Sequence, residues 1–237
     1  PASAKEKGRR GGFVSLASDV FQARMGEGIR ADVKDFAVDV SADNIKKGME
    51  KMDLNADLKF GHLDLKYDSI SAQINRPSVS FVTQPTKHSK GLKAHVVFNS
   101  NELDAAMGKS YALNTKSLKV DASVDQNKDK KDFLNQWNPL ADFMLNNAVV
   151  QVSGLDEEIR INNIDFLFNS DELDFKKSTF RIGQSDISLQ GSVIGVKKWI
   201  EDHKNLMKGE MQLTSNLMDI NEIMDLTSGL GASPSSE

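Results

Sequence analysis

The chain is 237 residues long, with 39% hydrophobic but only 7% aromatic residues, 30 basic against 34 acidic side chains, and no cysteine. A net charge of −4 with both signs interleaved gives no electrostatic case for a nucleic-acid partner, and without thiols neither a disulfide framework nor a thiolate metal or redox site can form. Apolar matter that is thin, aliphatic and spread along the whole length suits an elongated sheet better than a compact enzyme core.

Residues Pro1 to Gly12 are small, polar and basic, and read as a tail or linker whose KGRR cluster is solvated. There is no signal-peptide core near Pro1, and no run approaches the roughly 18 consecutive apolar residues of a membrane span; the sequence begins without methionine, so an excised fragment or mature form whose anchor, if any, is missing is expected. Phe13 to Met25 fits neither the helical nor the strand period cleanly and is taken as a strand entering the sheet. Phe36, Val38 and Val40 alternate with polar or small residues, after which Ser41-Ala42-Asp43 offers a cap for a short helix carrying Ile45, Met49 and Met52. Ala56, Leu58 and Phe60 share one parity while Leu63, Leu65 and Tyr67 share the other. The switch at Gly61-His62 requires a bulge or a tight turn.

Ile70, Ala72 and Ile74 form a further short strand that Asn75-Arg76-Pro77 ends, and Val79 to Val82 follow. Leu92, Ala94, Val96 and Phe98 alternate, as do Leu118, Val120, Ala122 and Val124, the cleanest strand in the sequence. Phe98-Asn99-Ser100-Asn101-Glu102-Leu103-Asp104 nearly recurs as Phe168-Asn169-Ser170-Asp171-Glu172-Leu173-Asp174, which predicts that each copy ends a strand and begins a turn. Asp125, Asn127 and Asp129 have the spacing of a calcium loop, but Lys130 and Gln136 stand where that loop needs glycine and glutamate, so a charged turn is expected. The four histidines, His62, His88, His95 and His203, fall in no metal-ligand spacing, and no nucleophile elbow, phosphate loop or dinucleotide fingerprint occurs.

After Phe133 to Trp137 and Asn138-Pro139, strands are expected at Ala148 to Val152, at Ile159 to Ile161 and through Ile164, Phe166 and Phe168. Ile187, Leu189 and Val193 share a parity, and Met211, Leu213 and Leu217 repeat it. Between them, Val196, Trp199, Ile200, His203, Leu206 and Met207 recur at helical spacing; this helix either covers one end of the sheet or lies on a membrane surface. Asp219-Ile220-Asn221-Glu222 has the spacing of a capping box, so a second helix is predicted to start there. The fold expected is mainly β: an elongated, strongly curved antiparallel sheet with two or three short helices. It forms a single domain over residues 13–228, with a flexible tail at 229–237.

The run LDFKKSTFRIGQSDISLQGSV, then a helix, then KGEMQLTSNLMDINEIMDLTSG, resembles the C-terminal module of AsmA-like proteins, large envelope proteins of Gram-negative bacteria, in the form associated with Bacteroidetes. QWNPLADFMLNNAVV and ADLKFGHLDLKYDSISAQI resemble the recurrent strand units of the same family. The most specific residues are Gly183-Gln184-Ser185-Asp186, Leu189-Gln190-Gly191 and Leu217-Met218-Asp219-Ile220-Asn221. The resemblance implies a periplasmic segment of an inner-membrane-anchored protein acting in outer-membrane biogenesis, with no catalytic motif and no cofactor. A phospholipid or other acyl lipid is the expected partner, held or moved along a groove that Phe166, Phe168, Ile182, Leu189 and Leu213 should line. The bland alternative is that these side chains are simply the core. Two other classes stay open: a scaffold contacting envelope proteins through exposed strand edges, and a hydrolase whose site one sequence does not reveal.

Overall fold

In the computed structural model the described residues are 11–26, 28–44, 53–86, 91–130, 136–155 and 157–224. The helix expected around Ile45, Met49 and Met52, the segment at Phe133, His88 and most of both tails lie outside them.

The fourteen strands among the described residues belong to one sheet, and every pairing between them is antiparallel. In chain order they are β1 (Gly12–Met25), β2 (Ile29–Asp43), β3 (Asp53–Lys59), β4 (His62–Tyr67), β5 (Ile70–Asn75), β6 (Ser78–Pro85), β7 (Leu92–Ser100), β8 (Glu102–Met107), β9 (Tyr111–Gln126), β10 (Trp137–Val152), β11 (Ile159–Asn169), β12 (Glu172–Ile182), β13 (Ser185–Ile194) and β14 (Lys208–Thr214). One short helix, α1 (Val196–Glu201), precedes β14, and residues 220–224 are again helical.

Six of these strands are three broken ones. β3 pairs with the second half of β2 and β4 with its first half, both antiparallel, so β3 and β4 are collinear. The same holds for β5 with β6 and for β7 with β8, which together flank β9. The sheet is therefore an eleven-rung meander in which each rung hydrogen-bonds the next.

The breaks are aligned. A seam crosses the sheet through Asp35, Phe60-Gly61, Arg76-Pro77, Asn101, Thr115 to Ser117, Asn147, Asn162 and the stretch between Phe175 and Ser178, where register shifts or gaps in pairing occur. Asp35, Arg76 and Asn147 have φ of 51°, 48° and 51°, the left-handed region that Asn and Asp tolerate better than most residues. Backbone bonds carry the ladder across: Gly61 N–H to Lys34 O at 2.9 Å, Phe60 N–H to Pro77 O at 3.0 Å, and Arg76 N–H to Gly61 O at 2.9 Å. Buried hydroxyls satisfy other groups left over there. Thr115, with no exposed surface, donates from Oγ1 to Asn146 O at 2.9 Å, while Ser100 and Ser178 donate to Glu102 O and Lys176 O at 2.9 and 3.1 Å.

Each crossing flips the parity of the apolar residues. Val38 and Val40 give way to Val33, Leu58 to Leu63, Ile74 to Val79, Phe98 to Leu103, Leu113 to Leu118, Leu145 to Ala148 and Ile161 to Ile164. One extra residue would send every later side chain to the other face, so the kink and the parity flip together keep the apolar residues on one side. This resolves the switch at Gly61-His62 as a kink within one rung. It also explains the mixed period of β1, whose register skips Asp19: Val14 and Leu16 precede the flip, and Phe21, Ala23 and Met25 follow it.

Two expectations are corrected. The Phe98 to Asp104 and Phe168 to Asp174 echoes are not equivalent, because only the second is a hairpin turn, with Ser170 at φ 51° and Asn169 opposite Glu172. In the first, β7 continues into β8 in the same direction along β9. The helix expected from Val196 to Met207 stops at Glu201. Asp202 is extended there although its N–H still bonds Lys198 O at 2.9 Å, and its Oδ1 accepts the Lys204 N–H at 3.1 Å, so a short polar side chain takes over a backbone N–H that a further turn would use. Leu206 is left 86% exposed.

Candidate functional site

Residues directly opposite each other in a ladder share a face, so the register maps the apolar surface. One row runs from Leu16 through Val38, Leu58, Val79, Phe98 and Val120 to Phe143, Phe166, Phe175, Gly191 and Met211, touching every rung. Beyond the seam a second row passes through Phe21, Val33, Leu63, Ile74, Leu103, Thr115, Ala148, Ile161, Phe180 and Ile187. The two halves meet in the cluster of Leu145, Ala148 and Ile161, against which Leu113, Leu118, Phe143, Ile164 and Phe180 pack. At about 4.8 Å per strand, the row spans about 48 Å.

The face is only partly out of water. Among the described residues the buried large hydrophobic side chains number only a handful, such as Val33, Leu145, Ile161, Ile182 and Ile187, while Phe98, Val120, Phe143, Phe166 and Phe175 are half-buried. Row neighbours cover their flanks: the Phe143 and Phe166 rings stack at 4.7 Å, and Phe166 meets Phe175 at 5.8 Å. The described strands form no second sheet, and α1 packs against β12. A one-faced sheet ordinarily buries that face under another layer.

All five residues expected to line a groove lie on this face. Phe166 and Phe168 stand in adjacent positions along β11, Ile182 is opposite Ile159, and Leu189 is flanked by Ser178 and Leu213. Their accessibility differs. Ile182 retains 3% of its surface, which makes it wall interior; Phe166, Phe168 and Leu189 are half-buried; Leu213, on the edge strand, is 52% exposed. Met211 shares β14 with Leu213, but Leu217 has left the strand for a turn.

Gly191 is what admits β14. Its φ is 146°, and a Cβ there would lie 2.1 Å from Glu210 O and 2.8 Å from Met211 Cα, so only glycine lets the edge strand close onto Phe175's row.

Residues 216–222 bind the Gly183 to Asp186 stretch. Glu222 accepts the Gln184 N–H at 2.9 Å through Oε1, and the Ser185 N–H and hydroxyl at 3.0 and 2.6 Å through Oε2. Ser185 Oγ accepts the Asp219 N–H at 2.9 Å. Asp186 accepts the Leu217 and Asn216 N–H groups at 2.7 and 3.0 Å, and Asn216 Nδ2 at 2.8 Å. The latch clamps residues 215–224 across the β12–β13 turn, where Gly183 at φ 52° leaves room for the Glu222 carboxylate. Asp219 caps the helical turn, its Oδ1 accepting the Asn221 N–H at 2.8 Å. The capping box, however, closes through another strand: Ser185 occupies the Asp219 N–H that Glu222 would take, and Glu222 holds the hairpin instead. Donated N–H bonds, Leu217 first for Asp186 and Gln184 first for Glu222, hold both carboxyls below their usual range.

The opposite face is polar and charged. A depression of about 720 Å³ there is lined by Glu157, Glu158, Arg160, Asn162, Arg181 and Glu222. Glu222 is saturated by the hairpin, and Glu158 is held by Arg160 at 3.6 Å and Gln151 at 2.9 Å. His95 contacts Asp121 at 2.7 Å, His62 contacts Asn75 at 2.8 Å, and His203 lies against Trp199, each at a separate place. In the charged turn, Asn127 Oδ1 accepts the Asp129 N–H at 3.0 Å and Asp125 pairs with Lys93 at 3.1 Å. Among the described residues no three His, Asp or Glu side chains converge as a metal set, and no helix is long and apolar enough to cross a membrane. Comparison with protein-family models, curated proteins and solved structures finds no match to this chain.

Proposed function

We propose that this protein holds or conducts acyl lipid along the apolar face of its sheet, as a periplasmic segment of an inner-membrane-anchored, AsmA-like protein serving outer-membrane biogenesis. The observation that carries the reading is the continuity of the apolar face, one row touching all eleven rungs and the other ten, with half-buried side chains and no second sheet among the described residues. An apolar strip about 48 Å long solvates acyl chains by removing them from water, while the headgroup stays hydrated at the rim. No covalent chemistry is required. The resemblance of residues 173–193 and 208–229 to the AsmA-like C-terminal module supports the compartment and the role.

The test is lipid extraction and mass spectrometry of the purified protein, followed by binding of a fluorescent phospholipid to wild type and Leu189→Asp. A carboxylate at this half-buried position faces the apolar row, so retained folding with reduced binding is the expected result. Loss of folding alone makes Leu189 a core residue. No binding of phospholipid or fatty acid by the wild type overturns the proposal in favour of an envelope scaffold.

A further inference from the structure

The two edges of the sheet are built differently. β14 is seven residues long and carries Lys208 and Glu210, the short and charged design that discourages strand addition. β1 is fourteen residues long, pairs only with β2 among the described residues, and leaves Phe13, Val14, Leu16, Val20, Phe21 and Met25 between 52% and 69% exposed. A long apolar edge that no described strand covers is a template for another strand.

We infer that β1 pairs with β1 of a second copy, antiparallel across a two-fold axis normal to the sheet, in the register that sets Ser18 of each copy opposite Asp19 of the other. Topology favours this occupant. With eleven antiparallel rungs, β1 and β14 run in the same direction, so head-to-tail stacking of copies with the same face forward would need a parallel pair. Pairing β1 with itself is antiparallel and keeps both apolar faces on one side.

The sequence of β1 complements itself in that register. Because its apolar parity flips around Asp19, Leu16 falls opposite the partner's Phe21, Val14 opposite the partner's Ala23 and Gly12 opposite the partner's Met25, apolar face against apolar face along the full strand. On the other face Phe13 meets the partner's Arg24 and Ser15 the partner's Gln22, and no like charges are directly opposite. A slip of one residue in one sense sets Asp19 against the partner's Asp19 and turns the two apolar faces to opposite sides. The dimer doubles the continuous apolar face, whatever that face holds.

The chain has no cysteine, so engineered thiols report the register directly. Wild type should sediment as a dimer. Val14→Cys and Ala23→Cys, both at exposed positions, should form a disulfide-linked heterodimer when mixed under mild oxidation, and neither should cross-link alone. In the inferred register the two Val14 positions are nine residues apart, about 30 Å. Leu16→Lys should weaken dimerisation about tenfold or more, since each dimer loses two cross-strand apolar pairs. A monomeric wild type, cross-linking of either single variant with itself, or a Leu16→Lys dimer of undiminished affinity would overturn the inference.

Discussion

Replacing Gly191 by alanine tests how the edge strand is held on the apolar face. The new Cβ would stand 2.1 Å from Glu210 O, against the roughly 3.3 Å of a close C···O contact, so β14 must retreat by about 1.2 Å locally or the backbone must leave its φ of 146°. Retreat by that amount carries the neighbouring N···O separations past the hydrogen-bond range. Losing two or three ladder bonds costs about 2–3 kcal/mol. The alternative, alanine held at a glycine-only φ, costs about 1–3 kcal/mol by itself. Either route exceeds the usual effect of a surface substitution. Because β14 is an edge strand, the loss should appear locally: faster hydrogen exchange across Lys208 to Thr214, with a smaller shift in the urea midpoint, and Leu213 withdrawn from Leu189. Unchanged exchange in β14, together with a stability change below about 0.5 kcal/mol, would refute the close-approach argument.

The latch should open in acid. The Asp186 and Glu222 carboxyls titrate lower in the folded latch than in the unfolded chain, so their contribution is present above the unfolded carboxylate range and lost as pH falls through the folded values. Limited proteolysis should find residues 215–224 protected at neutral pH and cleaved at low pH, and Glu222→Gln should be cleaved already at neutral pH; equal protection of that variant counts against the latch. At the seam, Thr115→Val keeps the shape but removes the hydroxyl that serves Asn146 O and the Ser117 N–H, which should lower stability by about 1–3 kcal/mol in urea titration. Thr115→Ser should recover most of that loss, and a midpoint equal to wild type in Thr115→Val would remove the hydroxyl from the account.

Period-two alternation was enough to read most strands and the mainly β class from the chain alone, because a side chain's face depends only on its position along its own strand. Leu118 to Val124 is the clearest case, a strand with its four apolar residues on one half-buried face. That the five residues proposed for a groove share a face was legible for the same reason, and Asp219 as a cap because its bonds are local. Tertiary structure alone decided how the segments join. Asn75-Arg76-Pro77 reads as the end of a strand, yet β5 continues into β6 along the same line, since a kink and a strand end use the same residue types and only the pairing partner tells them apart. Ile182 and Leu213 look alike in the sequence, but one sits deep in the wall and the other on an edge. Glu222 has the spacing to close its own capping box and instead closes the β12–β13 turn 37 residues upstream at Ser185, because burial and long-range bonding depend on neighbours that alternation does not specify.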